Sequence, residues 1–141
     1  MVHYFTEDTS FVYKGKRRTS AWLMAVAESH SRRLGEISVI FCPDPYLLEV
    51  NRKYLGHDYY TDIITFDYCE DGLLSGDLFI SVDTVRENAA FYGVPFDDEL
   101  HRVIVHGLLH LIGFDDHTEE DVKTMRHEEN EALKLLDGQS L

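Results

Sequence analysis

The chain has 141 residues, 44% of them hydrophobic, with 26 acidic against 13 basic side chains and a formal net charge of −13. That length suits one domain with its own core, residues 1–141 as a single unit, and no apolar run approaches the roughly 18 residues that suggest a membrane helix. Such acidity argues against a surface built wholly for nucleic acid, whose affinity comes mainly from cations, although net charge describes the whole surface and not one groove.

Val2 to Phe5 alternates and reads as a first strand. Thr19-Ser20 caps a helix running through Leu34, with Trp22, Leu23, Val26 and Ala27 at helical spacing and Gly35 as its stop. Ile37 to Phe41 reads as a strand halted by Pro43-Asp44-Pro45, and Pro45 to Tyr54 as a short helix. Asp62 to Tyr68 and Gly76 to Ser81 read as strands joined by the turn Glu70-Asp71-Gly72. Asp83 to Tyr92 reads as a helix closed by Gly93-Val94-Pro95. Asp97-Asp98-Glu99 then supplies the acidic first turn that favours a helix N-terminus. That helix, Glu99 to Ile112, is apolar almost all round and belongs at the centre. Thr118 to Asp121 opens a last helix reaching about Leu136. The expected fold is α+β: a small mixed sheet of about four strands packed with about five helices.

Met1 to Asp8 lacks the basic start and apolar middle of a signal peptide. Two cysteines, Cys42 and Cys69, are too few for a disulfide framework and read as free thiols. Both features point to a cytoplasmic protein. Acidic residues gather from Asp97 to Glu131, whereas Lys14, Lys16, Arg17, Arg18, Arg32, Arg33, Arg52 and Lys53 come early. The early cations form either an RNA-facing surface or an ordinary solvated face.

The chemistry concentrates in His106-Gly107-Leu108-Leu109-His110-Leu111-Ile112-Gly113-Phe114-Asp115-Asp116-His117. Histidines four apart share one helix face, about one turn from each other. Two neutral imidazoles in so apolar a segment need partners, and a metal ion serves both. Gly113 ends the helix and lets the chain bring back a third ligand, Asp116 or His117. Two histidines and one further ligand make a catalytic zinc set, which keeps a position open for water. Asp115 is a candidate supporting residue. Zinc peptidases carry His-Glu-x-x-His with the Glu as base; here that position is Gly107.

His-Gly-x-Leu-His-Leu-x-Gly-[aromatic]-Asp resembles the signature of the YbeY family, bacterial metal-dependent endoribonucleases that act as rRNA maturation factors. Tyr60 to Phe66 resembles the family's Thr-Asp-Val-Leu-Ser-Phe strand, Gly76 to Ser81 its Gly-Asp-Ile strand, and Leu48 to Tyr54 its Leu-Asn-x-x-Tyr segment. The matches run in the same order from about residue 36 to residue 117. The resemblance implies a single-strand-specific endoribonuclease holding one zinc ion. It implies work in 16S rRNA 3′-end maturation and ribosome assembly, with precursor rRNA and the small ribosomal subunit as partners and no role for DNA or membranes. It assigns catalytic and metal-binding roles to His106 and His110 and, most directly, makes Asp116 the third ligand in a slot usually held by histidine. Many members carry an arginine where this chain has Leu55, and Arg52 is the leading replacement, with Lys53 and His57 beside it.

His101 is spaced wrongly to share the ligand face, His127 reads as exposed, and His3 and His30 have no partner motif. His57 reads as a loop histidine, or as a border of the cleft. Two other functions stand against the nuclease: a zinc hydrolase of another substrate class, and a non-catalytic ribosome assembly factor with a structural metal.

Overall fold

A computed structural model describes residues 1–138. The alternating apolar segments form one four-stranded sheet in the order β1-β2-β4-β3: β1 (Val2–Thr6), β2 (Arg33–Cys42), β3 (Ile63–Asp67) and β4 (Leu73–Ser81). β1 and β2 run parallel, as do β2 and β4, while β3 lies antiparallel at the edge against β4. Five helices complete the described residues: α1 (Lys16–Ser29), α2 (Asp44–Val50), α3 (Val82–Tyr92), α4 (Phe96–Ile112) and α5 (Glu119–Asp137). The fold is thus the expected α+β arrangement. None of these helices is long and apolar enough to cross a membrane.

The main core joins Ile37, Val39 and Phe41 of β2 and Leu74, Leu78 and Ile80 of β4 to α1, α3, α4 and α5. The period of two in the strands puts these side chains on one face of the sheet. Trp22 of α1 is fully buried, and its indole N–H donates to the carbonyl of Ala132, 2.7 Å away, which ties α1 to α5. A smaller cluster of Cys42, Leu47, Val50 and Ile64 seats α2 on the sheet.

Several boundaries differ from the sequence reading. Helix α1 starts at Lys16, because the amide of Thr19 already bonds the carbonyl of Gly15 and Thr19 is buried against Tyr13 instead of capping. It ends at Ser29, because Ser31 takes φ 60 and turns the chain. Arg33 and Leu34 then pair with Leu73 and Leu74, so β2 begins where a helix was expected. Beyond α2 the chain widens into a π turn over Asn51–Leu55. The β3–β4 connection ends in a two-residue turn, closed by the Glu70–Leu73 bridge, with positive φ at Asp71 and Gly72, the type I′ geometry that suits strand twist.

Helix α4 packs against β3 and β4 of the sheet and against α1, α3 and α5. Its first turn carries Asp97, Asp98 and Glu99, which complement the helix dipole. Gly113, at φ 128, ends it in a conformation that L side chains rarely adopt. Where α4 crosses the sheet, a Cβ on Gly107 would stand 2.8 Å from Ile63 and 2.9 Å from Leu78. Glycine is there for close packing. Helix α5 starts with a capping box: Thr118 accepts from the Asp121 amide at 3.0 Å, and Asp121 accepts from the Thr118 amide at 3.4 Å.

Candidate metal centre

His106 and His110 lie one turn apart on α4 with their rings edge to face, centroids 4.6 Å apart. The turn at Gly113 brings Asp116 back over them. The two Nε2 atoms are 3.1 Å apart, and Oδ2 of Asp116 is 3.4 Å from that of His106 and 3.5 Å from that of His110. Donors around a tetrahedral ion at zinc bond lengths stand roughly 3.3–3.6 Å from one another. Two imidazoles and a carboxylate at these separations therefore fit one zinc-type cation. His117 lines the adjoining wall but does not belong to this three-atom group.

Behind the ligands stands a residue with no motif to announce it. Glu129 of α5 is 5% exposed, and its Oε2 lies 2.7 Å from Nδ1 of His106. Its other oxygen accepts from Arg102 at 2.9 Å. Burial pushes the Glu129 carboxyl up, but the bonds from His106 and Arg102 outweigh that and hold it below the usual carboxylate range. Burial would lower the His106 imidazolium, but Glu129, with Asp62 and Asp116 adding, raises it above its ordinary value. The one sign in the sequence is position: Glu129 shares the buried face of α5 with Met125, Ala132 and Leu136.

The ligands open into a cleft of about 470 Å³ between α4, β3 and the segment from Asn51 to Asp62. Asp62 lines it, and burial pushes its carboxyl above the ordinary range against the pull of His106. His57 and Leu55 also line the cleft, so His57 is both an exposed loop residue and part of the border. Arg52 does not line it; its guanidinium is paired with Glu49 and Asp58. Asp115 is exposed and off the lining. His101 packs edge-on against Trp22, away from the ligands, and His127 is exposed. His3 pairs with Glu36, and His30 with Glu128. Of the early cations, Lys14, Arg17 and Arg18 line a separate groove with Arg86, and none lines the ligand cleft.

A family model described as Endoribonuclease YbeY matches residues 6–137. The chain belongs to the YbeY family. A YbeY relative from Bacteroides thetaiotaomicron, named Endoribonuclease YbeY, is 55% identical over 134 residues, covering 95% of this chain and 98% of its own. Another of that name, from Phocaeicola vulgatus, is 53% identical over 136 residues, covering 96% and 99%. The solution structure of TM1509 from Thermotoga maritima superposes with a TM-score of 0.69 at 25% identity, covering 98% of this chain and 90% of that one. The YbeY-like sheet and helices therefore extend along nearly the whole chain.

Proposed function

We propose that this YbeY-family protein is a zinc-dependent, single-strand-specific endoribonuclease that trims ribosomal RNA precursors in the cytoplasm. The family resemblance supports the 3′ end of 16S rRNA as its target and the small ribosomal subunit as its partner. One observation carries the reading: three donor atoms within 4.8 Å of one another, from His106, His110 and Asp116, at the floor of an open cleft. Structural zinc sites are normally closed by four protein ligands, whereas catalytic sites use three and keep one position free. This donor count favours catalysis over an assembly factor with a structural ion. Gly107 favours RNA over peptide, because the residue that serves as base in helical zinc peptidases is missing.

Zinc bound here supplies Lewis acidity and acidifies water toward neutrality. Glu129 accepts the Nδ1 proton of His106, which leaves the Nε2 lone pair facing the cleft. Asp62, whose burial strengthens its hold on a proton, is placed to accept one from the attacking water and return it to the leaving oxygen. Arg52 serves as the cation for the phosphate by exchanging Glu49 and Asp58 for it. The test is cleavage of a single-stranded precursor-rRNA fragment by metal-stripped and zinc-reconstituted protein, with His110→Ala as control. Cleavage is expected only with zinc and not in the variant; full cleavage by the stripped protein overturns the reading.

A further inference from the structure

The cleft that holds the ligands has no lysine or arginine on its lining, while Asp62, Asp67 and Asp116 all face it. Phosphate contacts, the usual source of nucleic-acid affinity, are therefore scarce at this spot. One aromatic pair, Tyr59 and His57, lines it instead. Four of the eight tyrosines fall between residues 54 and 68. Tyr54, Tyr59, Tyr60 and Tyr68 are 61%, 55%, 62% and 58% exposed.

Their places follow from their neighbours. Tyr59 and His57 line the cleft, whereas Tyr60 lies off the lining between Tyr59 and Thr61. Tyr54 also lies off the lining; it packs edge-on against Phe66 of β3, centroids 5.9 Å apart, and Phe66 belongs with the smaller cluster under α2. Tyr59 lies nearly parallel to the His57 ring, centroids 5.2 Å apart and planes 20° from coplanar, with its hydroxyl 3.0 Å from Nδ1 of that ring. The loop is anchored from below: the amide of Asn51, a residue only 1% exposed, donates to the carbonyl of Tyr59 at 2.9 Å. The rings are thus held in place yet left open. An exposed aromatic pair on the wall of a cleft offers a binding surface.

We propose that the Tyr59–His57 pair forms a stacking rim that grips an unpaired base flanking the phosphodiester held over the metal ligands. This rests on the endoribonuclease reading and names the residues that select its substrate. Every base has a π face, so stacking holds a strand without reading its sequence. Paired bases are already stacked on one another, so a duplex gains nothing from the rim. The rim takes over holding that the acidic lining does not supply through phosphates.

Fluorescence anisotropy on metal-stripped protein tests this with three probes: a short single-stranded oligoribonucleotide, the same strand with abasic sites, and its duplex. Tyr59→Ala is expected to lose roughly tenfold in affinity. Tyr59→Phe, which lacks the hydroxyl but keeps the ring, is expected to bind like the parent. The abasic strand and the duplex are expected to bind weakly to every protein, and affinity to fall only shallowly with salt. In zinc-loaded turnover Tyr59→Ala is expected to raise KM with kcat near the parent value, which a folding defect would not do. A Tyr59→Ala protein that binds and turns over like the parent, or an abasic strand that binds as well as the intact one, overturns the rim and leaves the endoribonuclease standing. A parent protein that neither binds nor cleaves RNA overturns both.

Discussion

Nδ1 of His106 lies 2.7 Å from Oε2 of Glu129, a carboxylate held 23 residues further along the chain on another helix. The contact fixes which ring nitrogen faces the cleft, so the geometry of a ligand on α4 depends on the docking of α5. Replacing Glu129 by Gln keeps the shape and removes the charge. Zinc affinity is expected to fall about 10- to 100-fold in a chelator competition. Folding stability is expected to drop by about 1–3 kcal/mol in urea denaturation, because Arg102, mostly buried, loses its charged partner. Unchanged zinc affinity would show that Glu129 is only a packing residue.

Gly107 yields a second prediction. A methyl group there meets Ile63 and Leu78 below 3.0 Å. Overpacking costs about 1–3 kcal/mol, while alanine returns about 1 kcal/mol of helix propensity. Gly107→Ala is therefore expected to lose up to about 2 kcal/mol. Gly107→Glu, which restores the peptidase pattern, is expected to unfold and to show no peptide hydrolysis, because its carboxylate enters an apolar contact. Stable Gly107→Glu protein with peptidase activity would contradict this packing account.

The acid sensitivity of the fold is expected to come partly from His101. Burial against Trp22 holds its imidazolium below the ordinary value; Arg18 of α1 adds to this, and Asp97, Asp98 and Asp137 oppose it without cancelling it. The folded protein thus binds fewer protons at this site than the unfolded chain, whose pKa is about 6.5. Stability from this group is full above about pH 6.5, declines as pH falls through that value, and levels off below the folded pKa. Thermal melts of the zinc-loaded protein are expected to show a smaller fall in Tm below pH 6.5 for His101→Gln than for the parent. Parallel Tm profiles would remove His101 from the account.

Much of this architecture was legible in the residues, and the gaps have physical reasons. Helix α4 carried its own start and stop in Asp97-Asp98-Glu99 and Gly113, and its histidine spacing put both imidazoles on one face in advance. Arg33 and Leu34 read as helix because their strand character comes from pairing with Leu73 and Leu74, forty residues away, after a left-handed turn at Ser31 that no local pattern signals. Glu129 was missed because it reaches His106 only once α5 docks. Arg52 was singled out for its type and neighbourhood in sequence, which do not show that the π turn seats it between Glu49 and Asp58, the partners it is proposed to exchange for phosphate. The choice between Asp116 and His117 depended on the backbone beyond Gly113, which sequence does not carry.

That last choice bears most directly on the central claim, that three side chains hold one cation with a position left open. The decisive measurement is X-ray absorption at the zinc edge on protein reconstituted with one equivalent of zinc, alongside Asp116→Ala and His117→Ala. The parent is expected to give two imidazole nitrogens at about 2.0–2.1 Å and oxygens at about 2.0–2.2 Å from a carboxylate and a water. Asp116→Ala is expected to lose the carboxylate shell, and His117→Ala to match the parent. Four protein ligands around the metal, a third imidazole lost only in His117→Ala, or no imidazole at all would contradict it.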